Sequence, residues 1–329
     1  MPTLRSASLT GYADLAREAG LDPISLLSEV GLPVSALREP DLKISADAVR
    51  ELLETSAQRS GDQAFGLRLA EFRRLSNLGP IGLLLREEPT LRRALEAVLR
   101  FSHLHNAALF LKIEEAGGVV VIREELVVGR AAPLRQSTEL ALGVLFRLLT
   151  VFLGPNWRPR RVCFAHSAPK DRSVHWRMFG RRIEFGHDFN GIVCDARDLD
   201  VPNPGADPVM AHYARQVVEA SLGDARAGTA NDVRQLVFVL LPAGHCSVEL
   251  VAKHLGVTRR TVHRQLAREG ETFSGIVEGV RRELAARYVD DGARPLSEVS
   301  ALLGFSAPSA FSRWYRQGFG VSAASHRAG

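Results

Sequence analysis

Residues 247–270 read SVELVAKHLGVTRRTVHRQLAREG and predict two short helices joined by a tight turn. Ser247 and Thr258 suit the position before a helix, because a side-chain hydroxyl there accepts a hydrogen bond from a free backbone N–H group. Gly256 lies between the two helices, and glycine adopts the backbone conformations that a tight turn requires. Two short helices joined through such a turn form a helix-turn-helix.

The same pattern recurs 48 residues further along the chain, which indicates one supersecondary unit used twice. The repeated apolar and glycine positions are Val248, Val251, Leu255 and Gly256, matched by Leu296, Val299, Leu303 and Gly304. One residue is inserted in the second turn, so Arg264 is matched by Arg313 at an offset of 49. Ala252 and Ser300 are small residues that would let the two helices of each copy approach closely.

The outward face of the second helix in each copy carries the candidate DNA contacts. Arg260, His263 and Arg264 are spaced i, i+3 and i+4, so they project from one side of a helix. The planar fork of arginine can donate two hydrogen bonds to O6 and N7 of guanine. Serine hydroxyls, which dominate the matching face of the second copy, can serve bases or phosphates. The predicted DNA-binding residues are Arg259, Arg260, His263, Arg264, Ser309, Ser312 and Arg313.

The positive charge of the chain is concentrated in its last third. The net charge is +5 over 329 residues. Residues 231–329 contain 13 Lys and Arg against 9 Asp and Glu, whereas the rest of the chain contains 29 against 28. This asymmetry favours an anionic partner for the C-terminal part, and nucleic acid is the first candidate.

Composition also divides the chain into two domains. Residues 223–231 read GDARAGTAN, which is rich in glycine and small polar residues and predicts a linker. Residues 1–222 are predicted to form an α+β domain, and residues 232–329 an all-α domain of two helix-turn-helix units joined by a helix. The predicted helices of the first domain are 47–59, 91–104 and 136–152. Its predicted strands are a hairpin of 109–113 and 119–123, followed by 161–166, 182–185 and 191–195.

Several classes of protein are not expected. The chain has no glycine-rich phosphate loop, no nucleophile elbow of the G-x-S-x-G type and no H-E-x-x-H motif, so we expect neither an enzyme nor a cofactor. His103 and His105 stand two residues apart on a predicted helix and point in different directions, so they cannot chelate one metal ion. No metal site is expected, and these histidines are left as surface or pocket-lining residues.

The expected location is the cytoplasm. The longest apolar stretch, residues 140–153, is interrupted by Arg147 and falls short of the ~20 residues that span a bilayer. The first 20 residues carry charges among their apolar positions, unlike a secretory signal. Three cysteines are too few for a disulfide framework.

Residues 247–327 resemble the paired helix-turn-helix domain of AraC-type transcription regulators. The matching segments are LGVTRRTVHRQLAREG, RRELAARYV and LSEVSALLGFSAPSAFSRWYRQGFG. The resemblance implies that the predicted DNA-binding residues of the two copies enter successive major grooves, which lie about 34 Å apart. Residues 281–289 would be the rigid helix between them. The family usually closes with Ser-Pro and Tyr-Arg pairs, where this chain has Ser322-Ala323 and His326-Arg327, so a less firmly fixed C-terminal cap is expected.

The first domain resembles the N-terminal domain that one large AraC subgroup carries. The segments that carry the resemblance are residues 78–85, 89–106, 157–166 and 179–200. That domain is labelled arabinose-binding-like and is taken to sense a small effector and to support dimerisation, although the label does not imply a sugar. Arg92, Arg93, Arg100 and Arg135 could clamp an anionic effector. Arginine is so common in this chain that no effector residue is assigned.

The sequence therefore predicts a sequence-specific transcription regulator, an activator that responds to a small molecule. Its expected partners are double-stranded promoter DNA, RNA polymerase, the effector and a second copy of the chain, with no membrane. Two alternatives stay open. One is a dimeric regulator without an effector, and the other is a small-molecule-binding or enzymatic domain with a helical protein-interaction domain.

Overall fold

The computed structural model describes residues 2–126, 133–224, 229–242, 246–255, 257–292 and 294–328. These residues form two compact units, residues 1–223 and 224–329. The first unit combines helices and strands, and the described part of the second unit is helical, which confirms the predicted fold class.

The first unit contains nine labelled α-helices among the described residues. They are α1 (Tyr12–Glu18), α2 (Pro23–Glu29), α3 (Ala46–Ser60), α4 (Phe65–Glu71), α5 (Pro80–Glu87), α6 (Leu91–His105), α7 (Arg135–Leu153), α8 (Ser173–Phe179) and α9 (Pro208–Asp224). Its strands are β1 (Thr3–Arg5), β2 (Lys43–Ser45), β3 (Leu109–Ala116), β4 (Val119–Leu126), β5 (Arg161–Phe164), β6 (Ile183–Phe185) and β7 (Asn190–Asp195). Short 3-10 helices are formed at Ser6–Leu9, Val34–Leu37, Leu75–Leu78 and Ala196–Asp200.

The strands form two sheets. β1 and β2 pair antiparallel, and the other five strands form a sheet in the order β3-β4-β7-β5-β6, where only the β5–β6 pair is parallel. The β3–β4 hairpin is longer than predicted, because only Gly117 and Gly118 form its turn. Their φ angles of 58° and 76° suit a two-residue hairpin turn. Glu114 and Glu115, predicted as loop, therefore lie on β3 at the edge of the sheet, where charged residues are tolerated.

Helix α7 lies in the core of the first unit, where it packs on strands β4 and β7 and against helices α3 and α4. Alternate residues of β4 are buried and face the helices, as a period of two requires. Among the described residues, α7 alone is long and apolar enough to cross a membrane by length and composition. Half of its apolar segment is buried inside the first unit, and the helix packs against α3, α4 and the sheet as a core helix does.

The second unit consists of seven helices in the part of it that is described. They are α10 (Thr229–Leu240), α11 (Val248–His254), α12 (Arg259–Arg268), α13 (Phe273–Asp291), α14 (Leu296–Leu302), α15 (Pro308–Phe319) and α16 (Ala323–Ala328). α13 is the central helix, with α10, α14 and α16 packed against it. Its inner face is fully buried and consists of Val280, Leu284, Ala285 and Val289.

The connection between the units is shorter than the predicted linker of residues 223–231. α9 continues to Asp224 and α10 begins at Thr229, so both ends of the predicted linker are helical. The remaining positions, 225–228, lie outside the described residues. Composition alone did not show the helix ends, because Thr, Ala and Asn carry no strong signal against a first helical turn.

Close contact between α4 and α7 predicts the effect of a substitution at Gly143. A Cβ atom at Gly143 would lie 2.5 Å from the Cβ atom of Ala70 and 3.1 Å from Cδ1 of Leu67. We expect Gly143→Val to lower the free energy of unfolding by about 1–3 kcal/mol, because overpacking forces neighbours to shift. Urea unfolding followed by circular dichroism measures this loss. Gly205→Val is the control, since the nearest atom to a Cβ there is 3.6 Å away; equal midpoints for the two variants would contradict the packing argument.

Candidate nucleic-acid interface

Helices α11–α12 and α14–α15 form the two helix-turn-helix units. Both first helices end with the same backbone hydrogen bonds at matching positions. The Val257 N–H donates to the Ala252 carbonyl, and the Phe305 N–H donates to the Ser300 carbonyl, each at 3.0 Å. Gly304 has a φ of +75°, which explains the glycine of the second turn. Its counterpart, Gly256, lies outside the described residues.

The capping predictions for the first copy agree with the structure. The Ser247 hydroxyl accepts a hydrogen bond from the Leu250 N–H at 3.2 Å, and the Thr258 hydroxyl accepts one from the Thr261 N–H at 3.2 Å. The second copy begins its second helix differently, with Pro308 in the first turn of α15. Proline suits that position because its missing N–H would have no partner inside the helix.

One face of each second helix is buried, and this face determines which residues point outward. Val262 and Leu266 of α12 are fully buried, as are Phe311 and Tyr315 of α15. The first helices present small residues at the contact, with Ala252 at 3% exposure and Ser300 at 1%. The opposite faces of α12 and α15 are therefore directed to solvent.

The predicted DNA-binding residues of α12 all lie on its exposed face. Arg259 forms a salt bridge with Glu249 at 3.0 Å, but both side chains are more than 60% exposed. Such a pair contributes little stability, so Arg259 can leave Glu249 and bind a phosphate with only a small loss of free energy. Within the described part of the chain, Arg260 and Arg264 form no salt bridge, so their guanidinium groups stand in solvent without a carboxylate.

The predicted residues of α15 are exposed as well. The Ser312 hydroxyl donates a hydrogen bond to the Pro308 carbonyl at 2.9 Å, which leaves its oxygen as an acceptor. Arg313 has no salt bridge to any residue that the structure describes. Arg316, which the sequence analysis did not select, is exposed one turn further along the same face. Its i+3 spacing from Arg313 was the signal that could have identified it.

Side chains of α13 hold the second helix-turn-helix unit in place. The Arg281 Nε–H donates to the Leu303 carbonyl at 2.9 Å, and the Arg281 guanidinium lies 5.0 Å from the Phe305 ring centroid. Glu278 accepts a hydrogen bond from the Trp314 indole at 2.6 Å. These contacts fix α15 relative to α13, which keeps its outward face in a defined direction.

The C-terminal edge is held more firmly than its departures from the family pattern led us to expect. Ser322 accepts a hydrogen bond from the Ser325 N–H at 3.1 Å, which caps α16 without the usual proline. His326 Nδ1 lies 2.6 Å from the Tyr315 hydroxyl. Arg327 donates to three backbone carbonyls near the end of α13, those of Tyr288, Val289 and Arg294. The Arg327 side chain thus fixes this edge to the backbone near the end of α13.

A second feature is a cavity of about 520 Å³ within the first unit. It lies between α3, α7, the end of α6 and strands β3 and β4. This volume lies within the ~300–1,000 Å³ typical of small-molecule sites. His105 lines the cavity, as one of the two roles left open for it, while the side chain of His103 lies outside the described part of the chain.

Among the residues that the structure describes, one group of side chains has the spacing of metal ligands. The ligand atoms of Cys163, Glu184 and His187 lie within 4.8 Å of one another. Burial raises the pKa of the Cys163 thiol to about 11, so it stays protonated near neutral pH. Arg161 already pairs with the Glu184 carboxylate at 3.1 Å. A protonated thiol and an occupied carboxylate do not make a prepared metal site.

Two helix-turn-helix units carry exposed arginines on their second helices, and several of these have no carboxylate partner among the described residues. This arrangement defines a DNA-binding regulator, and the α+β unit that precedes it contains a cavity. The comparisons with known proteins agree. Residues 20–203 match the arabinose-binding domain of AraC transcription regulators, N-terminal, and residues 251–329 match a helix-turn-helix domain. The chain belongs to the AraC family of transcription regulators.

Similar proteins share nearly the whole length of the chain. The HTH-type transcriptional regulator VirS of Mycobacterium tuberculosis is 33% identical over 99% of this chain and 96% of its own. The ornithine utilization regulator of Pseudomonas aeruginosa is 25% identical over 95% and 93%. The crystal structure of the transcriptional regulator CdpR from Pseudomonas aeruginosa aligns with a TM-score of 0.46 at 18% identity, covering 93% of this chain and 96% of that one.

The contacts of Arg327 predict its importance for stability. We expect Arg327→Ala to lower the free energy of unfolding of the second unit by about 1–3 kcal/mol, because three carbonyls in partly buried hydrogen bonds lose their charged donor. Thermal unfolding of the full chain by calorimetry measures this change. Arg316→Ala removes an exposed arginine from the same unit and should leave the midpoint unchanged. A midpoint for Arg327→Ala equal to that of Arg316→Ala would show that the three hydrogen bonds do not stabilise the fold.

Proposed function

We propose that this protein is a sequence-specific activator that reads promoter DNA through α12 and α15. The observation that carries this proposal is the pair of exposed arginines, Arg264 and Arg313, at matching positions of the two units without a carboxylate partner among the described residues. Arginine in that setting suits guanine edges and phosphates. A helix that served protein contacts would not need the same cation at both positions.

Each predicted residue has a proposed role in the complex. Arg260, His263 and Arg264 face the bases of one major groove, and the residues Ser309, Ser312 and Arg313 face the next. Arg259, at the start of α12 and loosely paired with Glu249, is the one that we assign to a phosphate. Arg316 is proposed as an additional phosphate contact because of its position on the same face of α15.

The base-reading role of Arg264 can be measured. We expect Arg264→Ala to weaken binding to the selected operator by ~1–3 kcal/mol and to relax the preference at one base position, because a bidentate arginine–guanine contact is lost. The operator is obtained by selection from random duplexes with the full-length protein. Fluorescence anisotropy with operator and random duplexes then gives the two affinities.

Arg177→Ala is the matched control for this experiment. It removes the same charge from the first unit, where Arg177 is paired with Glu71 at 2.7 Å. DNA affinity should stay within error of the wild type. An equal loss for Arg264→Ala on operator and random DNA would make Arg264 a phosphate contact instead. No loss on either duplex would remove it from the interface.

We further propose that residues 1–222 bind a small effector and pair with a second copy of the chain, while residues 232–329 bind DNA. The cavity supports an effector over an effector-free regulator. We also propose that the protein acts in the cytoplasm, that it contacts RNA polymerase as an activator does, and that it is not an enzyme.

The exposed face of α9 supports the second copy as its partner. Four apolar residues lie on one stripe of this helix and are 49–62% exposed: Val209, Met210, Tyr213 and Val217. An apolar stripe of this kind on a helix is typical of a protein–protein contact. Two copies of the same stripe can pair about a twofold axis, as in most homodimers.

The proposed dimer face predicts the effect of a charge on α9. We expect Tyr213→Asp to shift the protein from dimer toward monomer, because two carboxylates would be buried opposite each other. Light scattering after size-exclusion chromatography measures the mass. Ile24→Asp places the same charge on another exposed apolar residue, one that is 50% exposed, and should leave the mass unchanged. A dimer that persists in Tyr213→Asp would place the interface elsewhere.

A further inference from the structure

The described lining of the cavity in the first unit carries positive charge. It includes four arginines, Arg50, Arg73, Arg74 and Arg147, and no Asp or Glu is among the lining residues that the structure describes. None of these four guanidinium groups forms a salt bridge with any residue that the structure describes. Elsewhere in the same unit, arginines with carboxylate partners are common. A concentration of unpaired cations around one cavity favours an anionic occupant.

Arg73 is the most informative of the four. Its side chain is buried, with 4% exposure, and its terminal nitrogens donate to the carbonyl oxygens of Ala7 and Ser8. Burial lowers the pKa of Arg73 to about 10, so the group is still charged at neutral pH. Carbonyl dipoles satisfy its hydrogen bonds, but they do not neutralise its charge, and a buried charge without a counter-ion is costly.

Arg147 contacts the backbone of Arg73 and offers a pair of terminal N–H donors. Its Nε–H donates to the Arg73 carbonyl at 2.8 Å, which fixes the guanidinium on the cavity side of α7. No hydrogen bond among the described residues uses its two terminal nitrogens. Two parallel N–H groups fit the two oxygens of a carboxylate, which is the bidentate geometry that arginine favours.

Arg50 adds a further positive charge to the cavity wall, and His105 adds a neutral polar group beside it. The Arg50 Nε–H is buried without a hydrogen-bond partner in the described structure. Glu54, one turn along α3, interacts electrostatically with Arg50, but the two side chains form no salt bridge among the described residues. Burial and the neighbouring charges of Arg5, Arg73 and Lys43 lower the pKa of His105 to about 3, so His105 is neutral and can accept or donate a hydrogen bond.

The remainder of the cavity wall is apolar. Apart from these cations and a few small polar groups, the lining consists of aliphatic side chains from α3, α7, β3 and β4, such as Val49, Leu53, Leu109, Leu140 and Val144. A small inorganic anion would leave this wall in contact with water or empty. The wall gains free energy only when a hydrocarbon covers it, at roughly 25 cal/mol per Å² of apolar surface removed from water.

We propose that the cavity binds a hydrophobic carboxylate, a molecule with one carboxylate group and a hydrocarbon body. The carboxylate pairs with Arg147 and neutralises the charge of Arg73, and the hydrocarbon lies along α7 against the aliphatic wall. This inference rests on the proposed effector response and names the chemical class of the effector. It concerns residues that the sequence analysis did not select.

The four arginines considered as an effector clamp from the sequence are engaged elsewhere. Each pairs with a carboxylate in the structure: Arg92 with Asp200 and Glu115, Arg93 with Glu96, Arg100 with Glu219, and Arg135 with Glu139. None of the four is among the residues that line the cavity. An anionic ligand would have to displace these carboxylates before it could bind the four arginines. Arg147 has no carboxylate partner among the described residues to displace.

Calorimetric titration of the full-length protein tests the proposal with defined probes. Dodecanoate and 4-phenylbutyrate supply a linear and an aromatic hydrophobic carboxylate. 1-Dodecanol has the hydrocarbon without the charge, and acetate has the charge without the hydrocarbon. We expect at least one of the hydrophobic carboxylates to bind with one site per chain and at least tenfold more tightly than 1-dodecanol or acetate.

Two variants locate the site. Arg147→Met keeps an unbranched apolar side chain and should weaken carboxylate binding at least tenfold while leaving 1-dodecanol unaffected. Val144→Phe fills the apolar part of the cavity and should weaken both. Arg100→Met is the matched control, because Arg100 is exposed and pairs with Glu219 outside the cavity. Circular dichroism and operator binding without ligand establish that each variant is folded.

The outcomes separate this proposal from the proposed function. Failure of both carboxylates to bind, many weak sites, or equal affinity for wild type and Arg147→Met would overturn the ligand class. Operator binding is measured on the same preparation, and its absence in the ligand-free and ligand-bound wild type would overturn the regulator assignment instead. A change in operator affinity on adding the bound carboxylate, lost in Arg147→Met, supports both.

Discussion

The buried face of each reading helix is the constraint on which the DNA-binding half depends. Val262 and Leu266 in one copy, and Phe311 and Tyr315 in the other, must be covered by the preceding helix, and small residues at Ala252 and Ser300 allow the required close approach. Because that face is buried, the helical period places the arginines on the opposite face, which is exposed to solvent. Packing, and not charge, therefore determines which side chains can reach DNA.

The distribution of arginine partners then separates structural from functional cations. Exposed pairs such as Arg177 with Glu71 add little free energy but reduce the chance of nonspecific contacts with nucleic acid. The guanidinium groups of Arg264 and Arg313 have no such partner in the described structure, nor do those around the cavity. A sequence in which arginine is abundant and lysine rare hides this distinction, because the presence of a carboxylate partner is a property of the fold.

The features that the sequence could predict are those that depend on residues close together in the chain. The paired helix-turn-helix units, their caps at Ser247 and Thr258, and the outward residues follow from patterns within about 25 residues, and the structure has them. The hydrogen bond from Arg73 to the Ala7 carbonyl, at the cavity, links residues 66 positions apart. The hydrogen bond from Arg92 to Asp200 links residues 108 positions apart. No periodicity signals contacts of that range. The hairpin turn was predicted too long, and the predicted linker includes residues that belong to α9 and α10, because glutamate and threonine carry weak local preferences at the ends of elements.

A ligand in the first unit can alter DNA binding only if it binds one state of the protein more tightly than another. α9 is the element in the first unit best placed to report such a difference. Arg215 of α9 pairs with the buried Glu88, and Glu219 of α9 pairs with Arg100 on α6, the helix whose last residue, His105, lines the cavity. α9 also carries the exposed apolar stripe and continues to Asp224, the first residue of the second unit. A shift of α6 on ligand binding would therefore reach α9, the helix that carries the proposed dimer face and leads along the chain to the second unit.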